Sequence, residues 1–126
     1  MSIVHRFTGN PSAENYAWEN VQPEEINFHE VQGVFKHVLV GPKDDAPNFI
    51  IRYFQVPVGG CTFFHKHAHE HGMLILHGHT KAQINEDYHE LNPLDAVFVS
   101  GDDLHQLTNI GDTPLGFICI IPRLEA

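Results

Sequence analysis

Gly59-Gly60-Cys61-Thr62-Phe63-Phe64-His65-Lys66-His67-Ala68-His69-Glu70-His71-Gly72-Met73-Leu74-Ile75-Leu76-His77-Gly78 is the stretch on which the reading of this chain turns. The glycine pair lets the backbone turn tightly into the run that follows. From Cys61 to His67 the composition suits a strand, in which alternate side chains share a face. His65 and His67 then project together, and Lys66 points away. Ala68 to Gly72 reads as a short corner. Met73-Leu74-Ile75-Leu76 is an apolar strand that ends at Gly78. Two imidazoles side by side on one strand can bite a single metal ion, and a corner followed by a second strand can bring a third.

Outward from this stretch the same grammar repeats. Segments 26–31, 34–40, 49–56, 61–67, 73–77, 80–85, 88–91, 96–99, 105–110 and 115–121 are rich in β-branched and aromatic residues. Between them stand Gly41-Pro42, Gly59-Gly60, Gly78, Asn92-Pro93, Gly101-Asp102-Asp103 and Gly111-Asp112, all turn chemistry. Many short strands with little helical pattern predict an antiparallel sandwich, jelly roll or barrel. The one helix-like stretch is 12–20, where Ser12 is positioned to cap a short turn before Trp18. Residues 1–33 read as an N-terminal arm with a first strand, 34–122 as the barrel and 123–126 as a tail. Pro11 and Pro23 break the arm.

At 126 residues the chain has the length of one domain. Seven Lys and Arg against sixteen Asp and Glu give a formal net charge of −9. With no basic run, nucleic acid and anionic membrane are excluded as expected partners. Cys61 and Cys119 form no CxxC and read as ordinary buried thiols. The first twenty residues carry no continuous apolar h-region, and no apolar run approaches a membrane span, so a cytoplasmic location is expected. Eleven histidines are present, and seven fall between His65 and His89, several times the share of an even spread.

Only part of that cluster carries chemistry. If the 73–77 strand pairs beside the first, His71 at its start converges on His65 and His67. The fourth ligand must come from elsewhere, and His105, opening a late strand, is the best remaining candidate. Glu70 is the rival of His71, either as ligand or as a carboxylate orienting a ligating imidazole. His69 reads as an exposed corner residue or a supporting group. His77, His79 and His89 read as solvated turn or surface residues. Phe63, Met73, Ile75 and Leu107 share strand parity with the candidate ligands and read as core. Arg52, alone in an apolar strand, either clamps a carboxylate or snorkels to the rim.

Gly59-x5-His65-x-His67-x3-His71-x6-Gly78 resembles the first cupin motif, G-x5-H-x-H-x3–4-E-x6-G. His105-x3-Asn109, with Asp95 upstream, resembles the second, G-D-x4-P-x-G-x2-H-x3-N, with Leu94, Ser100 and Asp102 where the motif has Gly, Pro and Gly. The resemblance covers about residues 34–122 and implies the cupin double-stranded β-helix, a jelly-roll barrel. His71 stands at the usual glutamate position, which is similar to a small-cupin subgroup reading H-x-H-P-W-E-H-E. That subgroup implies four histidine ligands, here His65, His67, His71 and His105, holding one divalent transition metal ion. Imidazole suits Fe, Mn, Ni, Cu, Co and Zn alike, so the sequence does not choose among them. Cupins are commonly dimers, and a homodimer is expected by that analogy.

Four neutral imidazoles leave the ion's double charge uncompensated, which favours an anionic or enolate-type ligand. The resemblance implies a dioxygenase-like oxidoreductase acting on a small enolisable or anionic molecule. Two other readings stay open: a non-redox isomerase or lyase for a sugar or keto acid, and a non-catalytic cupin that senses or stores a small molecule. No Ser, Cys or Lys nucleophile and no carboxylate pair stands out beside the histidines, so no catalytic residue is assigned.

Overall fold

A computed structural model describes residues 1–28 and 31–123. Its strands are β1 Glu24–Phe28, β2 Val31–Val40, β3 Phe49–Val56, β4 His71–His77, β5 Thr80–Ile84, β6 Asp87–Leu91, β7 Ala96–Val99, β8 His105–Asn109 and β9 Leu115–Pro122. They form a six-stranded sheet in the order β1-β2-β3-β9-β4-β7 and a three-stranded sheet in the order β6-β5-β8. Every pairing among them is antiparallel. This is the expected all-β jelly roll. The core lies between the sheets because the strands alternate. In β8, His105, Leu107 and Asn109 are buried, and in β9 Leu115, Phe117, Cys119 and Ile121 are. Fully burying a side chain such as Ile75 is worth about 1.5–3 kcal/mol. Asn109 is, with His105, a polar member of that face. Its Nδ2 donates to Val56 O at 3.1 Å and Thr113 O at 3.0 Å, and its Oδ1 accepts from Gly111 N.

Two expectations fail locally. Segment 61–67 is not a regular strand. It touches β8 through isolated bridges, Cys61 to Thr108 and His65 to His105, whose registers differ by one residue. At the slip, Thr62 Oγ1 accepts the Leu107 N–H at 3.0 Å in place of a backbone carbonyl. Segment 12–20 is not helical either. A single 3₁₀ turn, Pro11–Ala13, is capped by Asn10, whose side chain accepts from Ser12 N at 3.1 Å. The chain then turns back on itself, bridging Asn10 to Asn15 and Phe7 to Trp18.

The period of the aromatic residues explains the second failure. Tyr16 and Trp18 are two apart, the spacing of an extended segment, and both land on one patch. Trp18 packs on Tyr53 and His37 at centroid distances of 5.1 and 5.7 Å, and Tyr16 stacks on His77 at 4.2 Å. Residues 5–19 are thus a strap over the outer face of the six-stranded sheet, tied at its start by His5 Nε2 on Asp44 Oδ1, 2.8 Å. Beneath it, His77 Nδ1–H donates to Pro114 O at 2.9 Å. Its Nε2 therefore accepts from the fully buried Tyr53 hydroxyl at 2.6 Å. His77 is not the solvated turn residue that its place beside Gly78 suggests.

Candidate metal centre

Three pieces of backbone carry the histidines. The irregular segment 61–67 is held against β8 by His65 N to His105 O, 3.3 Å, and His105 N to His65 O, 3.0 Å. That pair of bonds puts the side chains of His65 and His105 next to one another. His71 is the first residue of β4, and Gly72 beside it is paired with Ile120 of β9. His69 sits in the corner between. Ring centroids are 4.1 Å apart for His65 and His67, 5.3 Å for His65 and His105, 4.7 Å for His71 and His105, and 5.3 Å for His67 and His71. His69 stacks on His67 at 4.5 Å. Ligand atoms lie mutually within 4.8 Å in two overlapping triads, His65-His67-His105 and His67-His69-His71. Among the described residues the nest therefore holds five imidazoles, one more than the sequence singles out. His69 is half-buried at its edge.

The residues present fit a metal ion. His71 is 5% exposed, and its Nε2 is buried with no hydrogen-bond partner. The Nε2 atoms of His65 and His67 are 3.0 Å apart, the separation of two cis ligands at about 2.1 Å from one ion. His105 Nδ1–H donates to Asp103 O at 3.1 Å, which leaves its Nε2 lone pair free, the usual arrangement for a ligating imidazole. Burial, then the neighbouring histidines, lowers the His65 pKa to about 4 and that of His71 to about 3. Burial lowers His67 and His69 as well. Neutral rings keep their lone pairs at physiological pH, as metal ligation requires.

The nest opens into a cavity of about 390 Å³ between the two sheets. Ile26, Phe54, Phe63, Met73, Leu107, Phe117 and Ile121 form an apolar wall, and no carboxylate is among its described lining residues. Met73 and Leu107 belong to the hydrophobic core, as parity predicts, Phe63 packs against it, and all three also line the cavity. Arg52 does not snorkel to the rim. It lines the cavity from β3, its Nη2 donating to Cys119 Sγ at 3.1 Å across the β3–β9 register. Cys119 Sγ is also 3.2 Å from His71 Nδ1. Burial raises the pKa of this thiol, opposed by Arg52. Both cysteines are free, yet Cys119 is a cavity residue touching a candidate ligand. Sequence reasoning missed this, although the inward alternation of Leu115, Phe117 and Cys119 was a signal for it.

Glu70 is exposed and, among the described residues, bonds to no histidine ring. His79 is exposed, with Nδ1 on Asn92 Oδ1 at 2.8 Å, and His89 is exposed on β6. The loops that bring up His105 keep the motif's backbone without its glycines. Leu94 and Asp102 adopt φ of 76° and 67°, as Gly78 does at 84°. Gly101 packs so closely on Ala68 that an added Cβ would lie 2.5 Å from its carbonyl oxygen, which locks the 100–103 loop to the histidine corner.

Residues 52–121 match the family described as the cupin domain. The chain is 35% identical over 71 residues to a 1-methylthio-D-xylulose 5-phosphate methylsulfurylase of Rhodospirillum rubrum, a match covering 56% of this chain and 46% of that protein. It spans about half the length of the curated relatives it matches. A crystal structure of a cupin 2 conserved barrel domain protein from Rhodopseudomonas palustris superposes with a TM-score of 0.82 at 26% identity, covering 98% of this chain and 83% of that one. For a cupin 2 domain-containing protein from Halorhodospira halophila the TM-score is 0.69 at 31% identity, covering 99% and 86%. By the matched motif, the barrel and these relatives, this chain belongs to the cupin family.

Proposed function

We propose that this cupin is a mononuclear metal-dependent enzyme of dioxygenase or oxidoreductase type, acting on a small enolisable or anionic substrate. His65, His67, His71 and His105 are its ligands for one divalent transition metal ion. The observation that carries the reading is the buried, unpartnered Nε2 of His71, whose ring lies 5.3 Å from that of His67 and 4.7 Å from that of His105. When bound, such an ion supplies Lewis acidity and, for Fe, Mn or Cu, a redox partner for dioxygen. The chain does the rest. Its apolar wall excludes water from the substrate. With no carboxylate among its described lining residues, it offers His69, neutral and beside the ligands, as the base for an acidic C–H.

A non-redox reading has one observation in its favour, the thiol of Cys119 against His71. The Rhodospirillum rubrum relative carries the name of a methylsulfurylase, which fits sulfur chemistry at a cupin site. Metal analysis with an oxygen electrode decides. Protein purified without added metal is expected to hold about one ion per chain, falling sharply in His67→Ala. Metal content indifferent to that substitution removes the ligand assignment. Oxygen uptake with an enolisable acid after Fe(II) or Mn(II) loading supports the dioxygenase reading. Turnover without uptake supports the non-redox one, and binding without turnover a sensor.

Two further expectations belong to this reading. A cytoplasmic setting accords with two free cysteines. A homodimer is supported by exposed Leu74, Phe98 and Ile120, adjacent on β4, β7 and β9. Phe98→Asp is expected to lower the mass seen by sedimentation equilibrium, and a wild type that sediments as a monomer removes the idea.

A further inference from the structure

The unexplained charge in this cavity is Arg52. A guanidinium is a cation, and removing it from water is costly without a counter-charge. The chain carries sixteen acidic residues, yet none lines the cavity among the described residues. The ion pairs among them are His5 with Asp44 and Lys36 with Glu24, so Arg52 is left out. Among the described residues its one hydrogen bond goes to Cys119 Sγ, a weak acceptor, and its buried Nε has no partner. The side chain is nevertheless held in place. Its guanidinium carbon sits 4.9 Å from the centroid of Phe54, which itself stacks on Phe117 at 5.3 Å. A pre-positioned cation with unused donors, in an apolar cavity of an acidic protein, is a receptor for an anion.

We propose that Arg52 is the specificity-determining residue of this site, and that it binds the carboxylate of a small 2-oxo acid with an apolar body. Two contacts, Arg52 Nη2 to Cys119 Sγ at 3.1 Å and Cys119 Sγ to His71 Nδ1 at 3.2 Å, bound the distance from guanidinium to imidazole at about 6 Å. A carboxylate on Arg52 therefore places the adjacent 2-oxo group toward the histidine nest, with the enolisable C3–H one bond further on. The apolar side chain of the acid lies against Phe54, Met73 and Leu107. Lys36 also reaches the cavity but is paired with Glu24 at 3.4 Å, so it is the weaker anchor. The inference rests on reading the cavity as the substrate site, and not on the identity or presence of the ion.

Calorimetric titration of the metal-free full chain tests it, with 3-methyl-2-oxobutanoate as probe and its methyl ester as the neutral control. The acid is expected to bind about 10- to 100-fold more tightly than the ester, the range for a charge-assisted hydrogen bond. Arg52→Met is expected to erase that preference while leaving ester binding unchanged, and Arg52→Lys to keep part of it. Equal binding of acid and ester to wild-type protein overturns the proposal, and that comparison needs no substitution to fold. So does acid binding unchanged in Arg52→Met, or no acid binding at all. Repeating the titration after Mn(II) addition separates the two readings. Arg52-dependent binding in a protein that takes up no metal upholds this inference and removes the metal-enzyme reading. Metal uptake and turnover without Arg52 dependence do the opposite.

Discussion

The metal-free protein is expected to lose stability when acidified from about pH 7.5 to about pH 5, and the histidine nest sets the size of the loss. Burial lowers the pKa of His71 from the ordinary 6.5 to about 3 in the folded protein, and that of His65 to about 4. A lowered folded value means that the unfolded chain takes up the proton first. The stability contribution is complete above 6.5 and is lost as pH falls from there toward the folded value. At about pH 5 folded His71 is still neutral, whereas the unfolded residue is almost fully protonated. The gap of about 1.5 pH units, at about 1.4 kcal/mol each, costs about 2 kcal/mol. Since both folded values lie below 5, the figure is set by the unfolded one. His65 is half-exposed, and water screens it, so about 1 kcal/mol is a fair share. A total of about 3 kcal/mol is a large part of the usual 5–15. Urea unfolding after chelation, followed by the fluorescence of Trp18, measures it. In His71→Asn the drop is expected to shrink by about 2 kcal/mol, and comparing variant with wild type cancels the change in overall charge. A wild type equally stable at both pH values, or a variant that loses as much as wild type, refutes the reasoning.

Gly116→Ala is expected to cost about 2–4 kcal/mol, because a Cβ there collides with the His77 ring and leaves the Tyr53 hydroxyl buried without its acceptor. The strap should loosen with it, seen as red-shifted Trp18 emission, and an unshifted spectrum would contradict the strap's dependence on His77. Leu94→Gly is expected to stabilise by up to about 1 kcal/mol, since Leu94 is 75% exposed and held at φ 76°. A loss of stability in that variant would mean that its side chain packs more than its exposure indicates.

The barrel was legible because its signals are local. Alternation in 49–56, 96–99 and 115–121 needs only the pleat, and β3 and β7 begin and end where the pattern places them. The helix expected over 12–20 failed because the aromatic residues of that stretch answer to Tyr53, His37 and His77, far away in sequence. The strand expected over 61–67 failed because its register against β8 slips by one residue, and a slip depends on the partner strand. Segments 26–31 and 123–126 fall partly outside the described residues.

By itself the sequence pointed to the family and the all-β class, and it singled out His65, His67 and His71 as candidates, since spacing within a strand or corner is a property of the backbone. It left open the loop before His105, where Leu94 and Asp102 stand at glycine positions of the motif, and the structure holds both at positive φ. Only the tertiary structure decided what surrounds those histidines. The sheet order β3-β9-β4 sets Arg52, Cys119 and Met73 side by side from three distant segments, with His71 against the thiol. No pattern along the chain encodes that adjacency. The reason is physical: a side chain's partner across a sheet is fixed by register and strand order, which arise only when the whole hydrophobic face is buried at once.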